Sequence, residues 1–583
     1  MKHLNPLLLL FAGLALVCLC NADVLQLAQE RSLFMQGSLF WHDCLRNVGG
    51  LLQWAGCYLT QLFYYPWLGG TILILLWVAA YYLLRRLTSL PHDWQWLTLI
   101  PCFALMASVI DLGYWIYYLK QPGYFGRETL GLLSVLLLLQ WPTSRTSATI
   151  AQRFGWLTSV VAVACYPLLG WYAVLALILL ALCALLRRQW LNAGIALLLV
   201  VFGPALFARQ YTTLRLADAW TAGFPLIANF TTIAWSSLLP FAVLIISLVG
   251  LLLSPLYASR LRASRLLPIL GPALLIAITA YSNVWNHNYH AEIRMLHALQ
   301  EFRYNAILQE MDEAPEGPTR QMVCMKNLAL LHTGHLSDKM FRYENAGPAP
   351  AVTDSLALHM VQTCAIQLYL YHGMTNDATH WAIENGVEQG FSVDHLHTLA
   401  LAALINGESQ LARKYLDMLS RVPFQSRFVQ RYYGLAVHPE WISDYPELKL
   451  MHELHNDVPD VVNRDDGNCE FRIYRLWANY LGYTSPRAKE LALVYALMLK
   501  DYDFIWPQFF EYAHSMTGSQ MPLYFQEAVY LGCHIDPQGH SLSDFHFDST
   551  LKQRYEAMRT VKPKQNNHSY WWFFSYCKNV TTY

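Results

Sequence analysis

Apolar runs of about 18 residues, nearly free of charge, follow one another through the first half of the chain. They stop near residue 284. Beyond that point apolar positions recur at helical spacing among polar ones, the pattern of a water-exposed helical domain. Nine membrane spans are predicted, over 4–20, 67–84, 95–118, 129–141, 155–170, 172–186, 191–208, 237–256 and 267–284. A single helix over 155–186 would measure about 46 Å, too long for a hydrocarbon core of about 30 Å. Pro167 and Gly170 offer a turn in its middle, so two short spans are expected there. The run 4–20 is read as an uncleaved first helix, because no small-x-small cleavage site precedes Asn21-Ala22-Asp23.

Charge orients these spans. With the N-terminus inside, ten basic residues fall at cytoplasmic ends: Lys2, Arg85, Arg86, Arg145, Arg153, Arg187, Arg188, Arg260, Arg262 and Arg265. Six fall in the longer outside loops. This is the asymmetry that the positive-inside rule requires, and a single span over 155–186 would reverse it. The domain after residue 284 is then extracytoplasmic. Aromatic clusters at Tyr64–Trp67, Trp115–Tyr118 and Trp285–Tyr289 mark water interfaces.

Composition agrees with the pattern. The chain is 55% hydrophobic and only 14% charged, unlike an ordinary soluble protein. Its formal neutrality conceals two halves. Of 40 basic and 40 acidic residues, 16 and 7 precede residue 285. The second half is therefore acidic and has no basic stripe, which argues against nucleic-acid binding. Cys18, Cys20, Cys102, Cys165 and Cys183 lie inside apolar spans and read as small buried hydrophobes. Cys324, Cys364, Cys469, Cys533 and Cys577 are odd in number and lack CxxC spacing, so neither a disulfide framework nor a zinc site is indicated.

The first outside loop, 23–66, carries apolar clusters from Val24 to Phe63 at mixed helical spacing, interrupted at Gly49-Gly50. Two amphipathic helices lying in the membrane interface are expected. They either cover the bundle or aim Asp23, Glu30 or Asp43 into a cavity at the membrane surface. Asp111, inside the third span, is an intramembrane carboxylate and so a candidate by residue type, although it sits close to the outer end. Arg127-Glu128 opens the fourth span. Arg127 is a candidate phosphate ligand facing lipid headgroups, or one half of a helix-end ion pair. Arg209, with Arg215 and Asp218, allows the same two readings.

The soluble half predicts an all-helical repeat domain. Gly373 precedes Ala378 by five residues, and Gly407 precedes Ala412 by five. The copies are 34 residues apart, the tetratricopeptide period. A looser copy runs from Leu328-Ala329 to Gly334. A tetratricopeptide-like solenoid is expected over 291–423, followed by helical stretches at 471–482, 488–500, 504–516 and 522–532, and an aromatic tail from Tyr570 to Phe574. The pairs His287/His290 and His452/His455 have metal-ligand spacing but no third ligand beside them. The sequons at Asn229, Asn567 and Asn579 bear only on a eukaryotic secretory protein. No nucleophile elbow, P-loop, dinucleotide fingerprint or HExxH occurs, and no cofactor is implied.

Three stretches resemble an uncharacterised multi-pass family of Bacteroidetes (domain of unknown function 6057). These are Glu30-Arg-Ser-Leu-Phe34, Gly49-Gly-Leu-Leu52, and Leu59-Thr-Gln-Leu-Phe-Tyr-Tyr-Pro-Trp-Leu-Gly-Gly70. Asn327-Leu-Ala-Leu-Leu-His-Thr-Gly334 is similar too. The resemblance implies a Gram-negative inner-membrane protein with a periplasmic helical domain, and it brings no activity. A looser architectural similarity is to lipid-carrier-dependent (GT-C) glycosyltransferases. These combine an odd span count, interfacial helices in the first outside loop and a periplasmic domain, and they use a carboxylate in that loop. Architecture alone does not establish function. Two function classes stand. One is a membrane-anchored scaffold that recruits a periplasmic protein through 291–423. The other is a glycosyltransferase acting on a lipid-linked sugar, with a loop carboxylate as general base and Arg127 or Arg209 on the leaving phosphate.

Overall fold

The computed structural model describes residues 4–143, 148–210, 214–229, 232–262, 266–313, 317–347, 358–458, 468–479, 482–500, 506–507, 509–510, 521–537, 539, 541–560 and 568–578. Among them the only β structure is an isolated bridge between Ala228 and Ile233. The fold is all-α, as the periodicity predicts. It divides into two compact units.

The first unit comprises residues 1–285 together with 388–393 and 419–426. Its helices are α1 (Leu4–Gly13), α2 (Ala22–Glu30), α3 (Ser38–Leu45), α4 (Gly50–Gln61), α5 (Pro66–Leu87), α6 (Ile100–Ile110) and α7 (Tyr124–Thr143). They are followed by α8 (Ala148–Ala164), α9 (Tyr166–Leu169), α10 (Trp171–Leu186), α11 (Trp190–Ala208), α12 (Trp235–Leu252), α13 (Ser254–Tyr257) and α14 (Leu267–Ser282). The first loop forms three helices, α2 to α4, where two are expected. Gly37 at φ +135° and Gly49 at φ +82° break the chain on either side of α3. The expected turn in 155–186 is present, built from α9 and Gly170 at φ +61°.

Among the described residues, four helical stretches are long and apolar enough to cross a membrane: Pro66–Leu87, His92–Ile110, Trp190–Ala208 and Trp235–Leu252. The number is up to six if two bent helix pairs each count as one span. Nine are expected from sequence. The difference lies partly in short helices, for α10 is strongly apolar but only 16 residues long. It also lies in breaks. The predicted span 95–118 is helical only to Ile110, and a 3₁₀ turn follows from Gly113 to Tyr118.

Helix α11 shows how these helices pack. It buries Asn192, Ala193, Ala196, Gly203, Pro204 and Ala208. It exposes Leu197, Leu198, Val201, Phe202 and Leu206. Small residues face the bundle and large apolar ones face outward, the reverse of a water-soluble helix. Buried side-chain hydrogen bonds join the helices. Trp77 Nε1 on α5 donates to Thr129 Oγ1 on α7 at 2.9 Å. Asn21 Nδ2 donates to Asn283 Oδ1 and to Leu16 O, each at 2.7 Å.

Residues 388–393 and 419–426 belong to this unit through contacts with the first loop and the bundle. Val393 N donates to Ser32 O at 3.1 Å, and Gln36 N to Arg421 O at 2.7 Å. Phe424 packs on Tyr64 and Tyr65 with ring centroids 5.4 and 5.5 Å away.

The second unit comprises residues 286–387, 394–418 and 427–583. Its helices begin with α15 (His287–Gln300), α16 (Tyr304–Glu313), α17 (Arg320–Thr333), α18 (Leu336–Lys339), α19 (Met360–Thr363), α20 (Ala365–Tyr371) and α21 (Thr375–Gln389). They continue with α22 (Val393–Ile405), α23 (Ser409–Leu419), α24 (Ser426–Val437), α25 (Pro446–Asp457), α26 (Cys469–Asn479) and α27 (Pro486–Leu499). The last three are α28 (Leu523–Ile535), α29 (Leu551–Thr560) and α30 (Tyr570–Tyr576). Gly334, Gly373 and Gly407 end α17, α20 and α22 at φ +76°, +75° and +72°. Such angles are nearly free for glycine and strained for other residues. Ala378 and Ala412, five residues after the second and third, are fully buried. The predicted stretch 504–516 and the sequons at Asn567 and Asn579 lie wholly or largely outside the described residues.

A buried polar network ties α17 to α26. Arg320 forms a two-pronged ion pair with Glu470, and its Nη1 donates to Asn345 O at 2.6 Å. Lys326, fully buried one and a half turns along α17, donates to Asn345 Oδ1 and to Met340 O. Burial, aided by the nearby Arg320 charge, lowers the Lys326 amine from its ordinary value to about 7. A depressed amine stabilises the fold fully above its unfolded pKa of about 10.4, and that contribution is lost as pH falls through about 7. Wild-type stability is therefore expected to decline between about pH 10 and pH 7. Lys326→Met should flatten that decline in thermal melts followed by circular dichroism. An unchanged slope would mean that the amine stays charged in the fold.

Candidate functional site

Two glycines from separate parts of the chain press on the side chain of Arg127, and a third packs on the first of them. Gly49 begins α4, Gly170 begins α10, and Gly223 lies in the turn before Phe224. All three have positive φ: +82°, +61° and +84°. Each also lacks a Cβ where a Cβ would collide. One on Gly49 would lie 2.7 Å from Arg127 Nη2, and one on Gly223 would strike the same nitrogen. One on Gly170 would lie 2.6 Å from Ala222 O and 3.5 Å from Gly49 Cα. Backbone hydrogen bonds fix the arrangement. Gly49 N donates to Pro167 O and Trp171 N to Ala222 O, both at 2.9 Å. Gly56 brings α4 against α7, since a Cβ there would lie 2.9 Å from Arg127 N.

The guanidinium is thus pressed against backbone on two sides and is only 4% exposed. The side chain of Arg127 has no hydrogen-bond acceptor and no carboxylate within ion-pair distance among the described residues, and its buried Nε is unpaired. The adjacent helix ends add positive potential. The N-caps of α4 and α10 are glycines, and neither helix has a side-chain cap. A helix N-terminus carries roughly half a positive charge. A buried cation without a counter-ion costs several kcal/mol. Two like-signed helix ends beside it raise that cost, and an anion bound there would neutralise all three. The indole Nε1 of Trp171, next to Gly170, is a further buried donor without an acceptor among the described residues. Its ring packs on Tyr172 and Phe224 at 4.6 and 5.1 Å.

Glu128 makes no direct ion pair with Arg127, although its charge lies close enough to act on the guanidinium through space. Consecutive helical residues point about 100° apart. Glu128 Oε2 accepts a hydrogen bond from Tyr172 on α10, and its buried Oε1 has no partner. The ion pair that sequence alone allows between these neighbours does not form.

The other candidates lie elsewhere. Asp43 is exposed on α3. Asp23 and Glu30 are half-buried near the two ends of α2, and Asp23 Oδ1 accepts from Val24 N at 2.9 Å. Asp111 is half-buried where α6 ends. Arg209 is exposed at the end of α11. None of the carboxylates reaches ion-pair distance of Arg127. Sequence reasoning singles out Arg127 but misses Gly49, Gly170, Gly223 and Trp171 as its surroundings. Gly49 and Gly170 are legible only as chain breaks.

A family described as being of unknown function (DUF6057) matches residues 2–576. The chain belongs to this family. No curated protein and no solved structure matches it. Family membership assigns no role to Arg127, so the site's meaning rests on its geometry.

Gly223→Ala tests how tightly the cradle is built. The substitution forces a Cβ into both a left-handed backbone and the guanidinium. It should lower stability by about 1–3 kcal/mol. Gly194→Ala on α11, where a Cβ meets nothing within 4 Å, should not. Thermal unfolding of the two variants in detergent compares them directly.

Proposed function

We propose that this is an integral multi-pass membrane protein whose helical bundle binds a phosphate-type anion at Arg127. Arg127 in its glycine cradle, buried and unpaired between two uncapped helix N-termini, carries the reading. A guanidinium offers five donors in a fork suited to phosphate, and helix N-termini favour the same ligand. The inverted packing of α11 supports the membrane assignment. In this reading the protein sits in a bacterial inner membrane with about nine spans, its N-terminus cytoplasmic and its second unit periplasmic. That unit serves as a tetratricopeptide-like surface for a protein partner over 291–423, which the left-handed glycines at 334, 373 and 407 support.

The same cation favours a second reading, a GT-C-like glycosyltransferase using a polyprenyl-phosphate sugar. It requires Asp23, Glu30 or Asp43 to approach the bound donor, and none of these lies within ion-pair distance of Arg127 in the structure. Binding distinguishes the outcomes. Purified protein in nanodiscs is titrated with inorganic phosphate and with short-chain lipid phosphates, while thermal stabilisation is followed. Saturable stabilisation that Arg127→Met abolishes supports the site. Equal stabilisation of both proteins, or of neither, overturns it. Sugar transfer that Asp43→Asn, Asp23→Asn or Glu30→Gln removes would favour the transferase.

A further inference from the structure

The seven-residue helix α30 is held by the second unit in the way a receptor holds a peptide. A helix this short is not stable alone in water. Its backbone is read at both ends by side chains from other elements. At its start, Tyr570 N donates to Glu527 Oε2 of α28 at 2.8 Å. Glu527 is fully buried and pairs with Arg554 of α29 at 2.8 Å. At its end, Lys500 Nζ, just past α27, donates to the carbonyls of Phe573 at 2.7 Å, Phe574 at 3.3 Å and Cys577 at 2.6 Å. An acidic group at the N-terminus and a basic group at the C-terminus both complement the helix dipole. Lys500 sits at φ +52°, a conformation disfavoured for a side chain of this kind, and from there it reaches the carbonyls.

Aromatic pockets between these clamps supply the apolar contact. Tyr570, Trp571 and Phe573 are buried. Phe341 meets Tyr570 at 5.4 Å and Phe573 at 5.2 Å, and Tyr555 meets Trp571 at 5.0 Å. An apolar helix face laid in a groove, here through Tyr570 and Phe573 three residues apart, is the feature of helix-in-groove recognition.

We propose that the groove between Glu527 and Lys500 is a docking site for a short aromatic helix, and that its partner in trans is the same C-terminal segment of a second copy of this chain. The contacts made in exchange are those already made within one chain, which makes this a low-cost route to a dimer. The clamps recognise helix ends, so they fit this segment whichever chain supplies it. Nine residues separate α29 from α30 in sequence, enough to extend about 30 Å.

The test uses full-length protein in detergent and a fluorescent peptide of residues 568–583. The double substitution Trp571→Ala with Phe573→Ala weakens the chain's own segment and leaves the groove intact. Peptide should bind this variant at least tenfold more tightly than wild type. Adding Lys500→Met or Glu527→Gln should remove that gain. Two differently tagged wild-type chains, mixed at high concentration, should co-purify and separate when excess peptide is added. A variant with wild-type helix content by circular dichroism that binds no peptide overturns the groove. Peptide binding without co-purification overturns the second copy as partner. Helix content below wild type sends the test to wild-type protein alone. There, faster alkylation of Cys577 in the presence of peptide supports exchange, and an unchanged rate refutes it.

Discussion

Replacing Arg127 by methionine is expected to stabilise the ligand-free protein and to abolish its stabilisation by ligand. The two effects have one cause. In the absence of ligand Arg127 is buried with no carboxylate within ion-pair distance among the described residues, beside the positive ends of α4 and α10. Methionine fills similar volume without that charge, and so without the desolvation penalty that a buried ion carries. Ligand at a hundred times its dissociation constant should stabilise wild type by about 2.7 kcal/mol, and the variant not at all. A merely structural Arg127 predicts the opposite first result, because methionine does not reproduce the guanidinium's packing against Gly49 and Gly223. Arg127→Lys keeps a charge but not the fork, so its ligand response should be weaker than wild type and not absent. Thermal melts with and without phosphate-bearing lipid read both effects in one experiment. Ligand-free destabilisation of Arg127→Met would remove the basis of the site.

Glu470→Ala should be the most damaging single change in the second unit. Glu470 is almost wholly buried and meets Arg320 with both carboxylate oxygens. Removing it leaves a guanidinium, 2% exposed, without the carboxylate that it meets through Nε and Nη2. Breaking a buried pair from one side costs about 3–5 kcal/mol. Glu470→Gln retains one acceptor oxygen and should cost less. The double change Arg320→Met with Glu470→Leu should recover most of the loss, since neither charge remains. Hydrogen exchange across α17 and α26 would show the damage where it arises. Protection left intact by Glu470→Ala would mean that the pair contributes little.

Much of the fold is legible because helices announce themselves locally. The period of apolar positions identifies the all-α class. Pro167 and Gly170 identify the turn in 155–186, and Gly373 and Gly407 identify two left-handed helix ends. The span count is less secure, because length and hydropathy do not register a break such as the one after Ile110. The candidate site is legible in its centre and opaque in its surroundings. Arg127 stands out as a charge at the start of an apolar run. Nothing local says that Gly49, Gly170 and Gly223 converge on it, since that depends on how α4, α7 and α10 pack. Nor does sequence say which way a loop carboxylate faces. Asp23, Glu30 and Asp43 have the residue type sought, and packing leaves none of them within ion-pair distance of the cation.

The first unit also has a consequence for how the protein is made. Its contact set is not complete when the last residue of α14 leaves the ribosome. Ser32 and Gln36 find their backbone partners only in Val393 and Arg421, and Tyr64 and Tyr65 find Phe424. The early hydrophobic helices must therefore wait for well over a hundred further residues before this part of the structure can close. A chain cut after Trp285, however natural that boundary looks on paper, would be a biosynthetic intermediate and not an independent module.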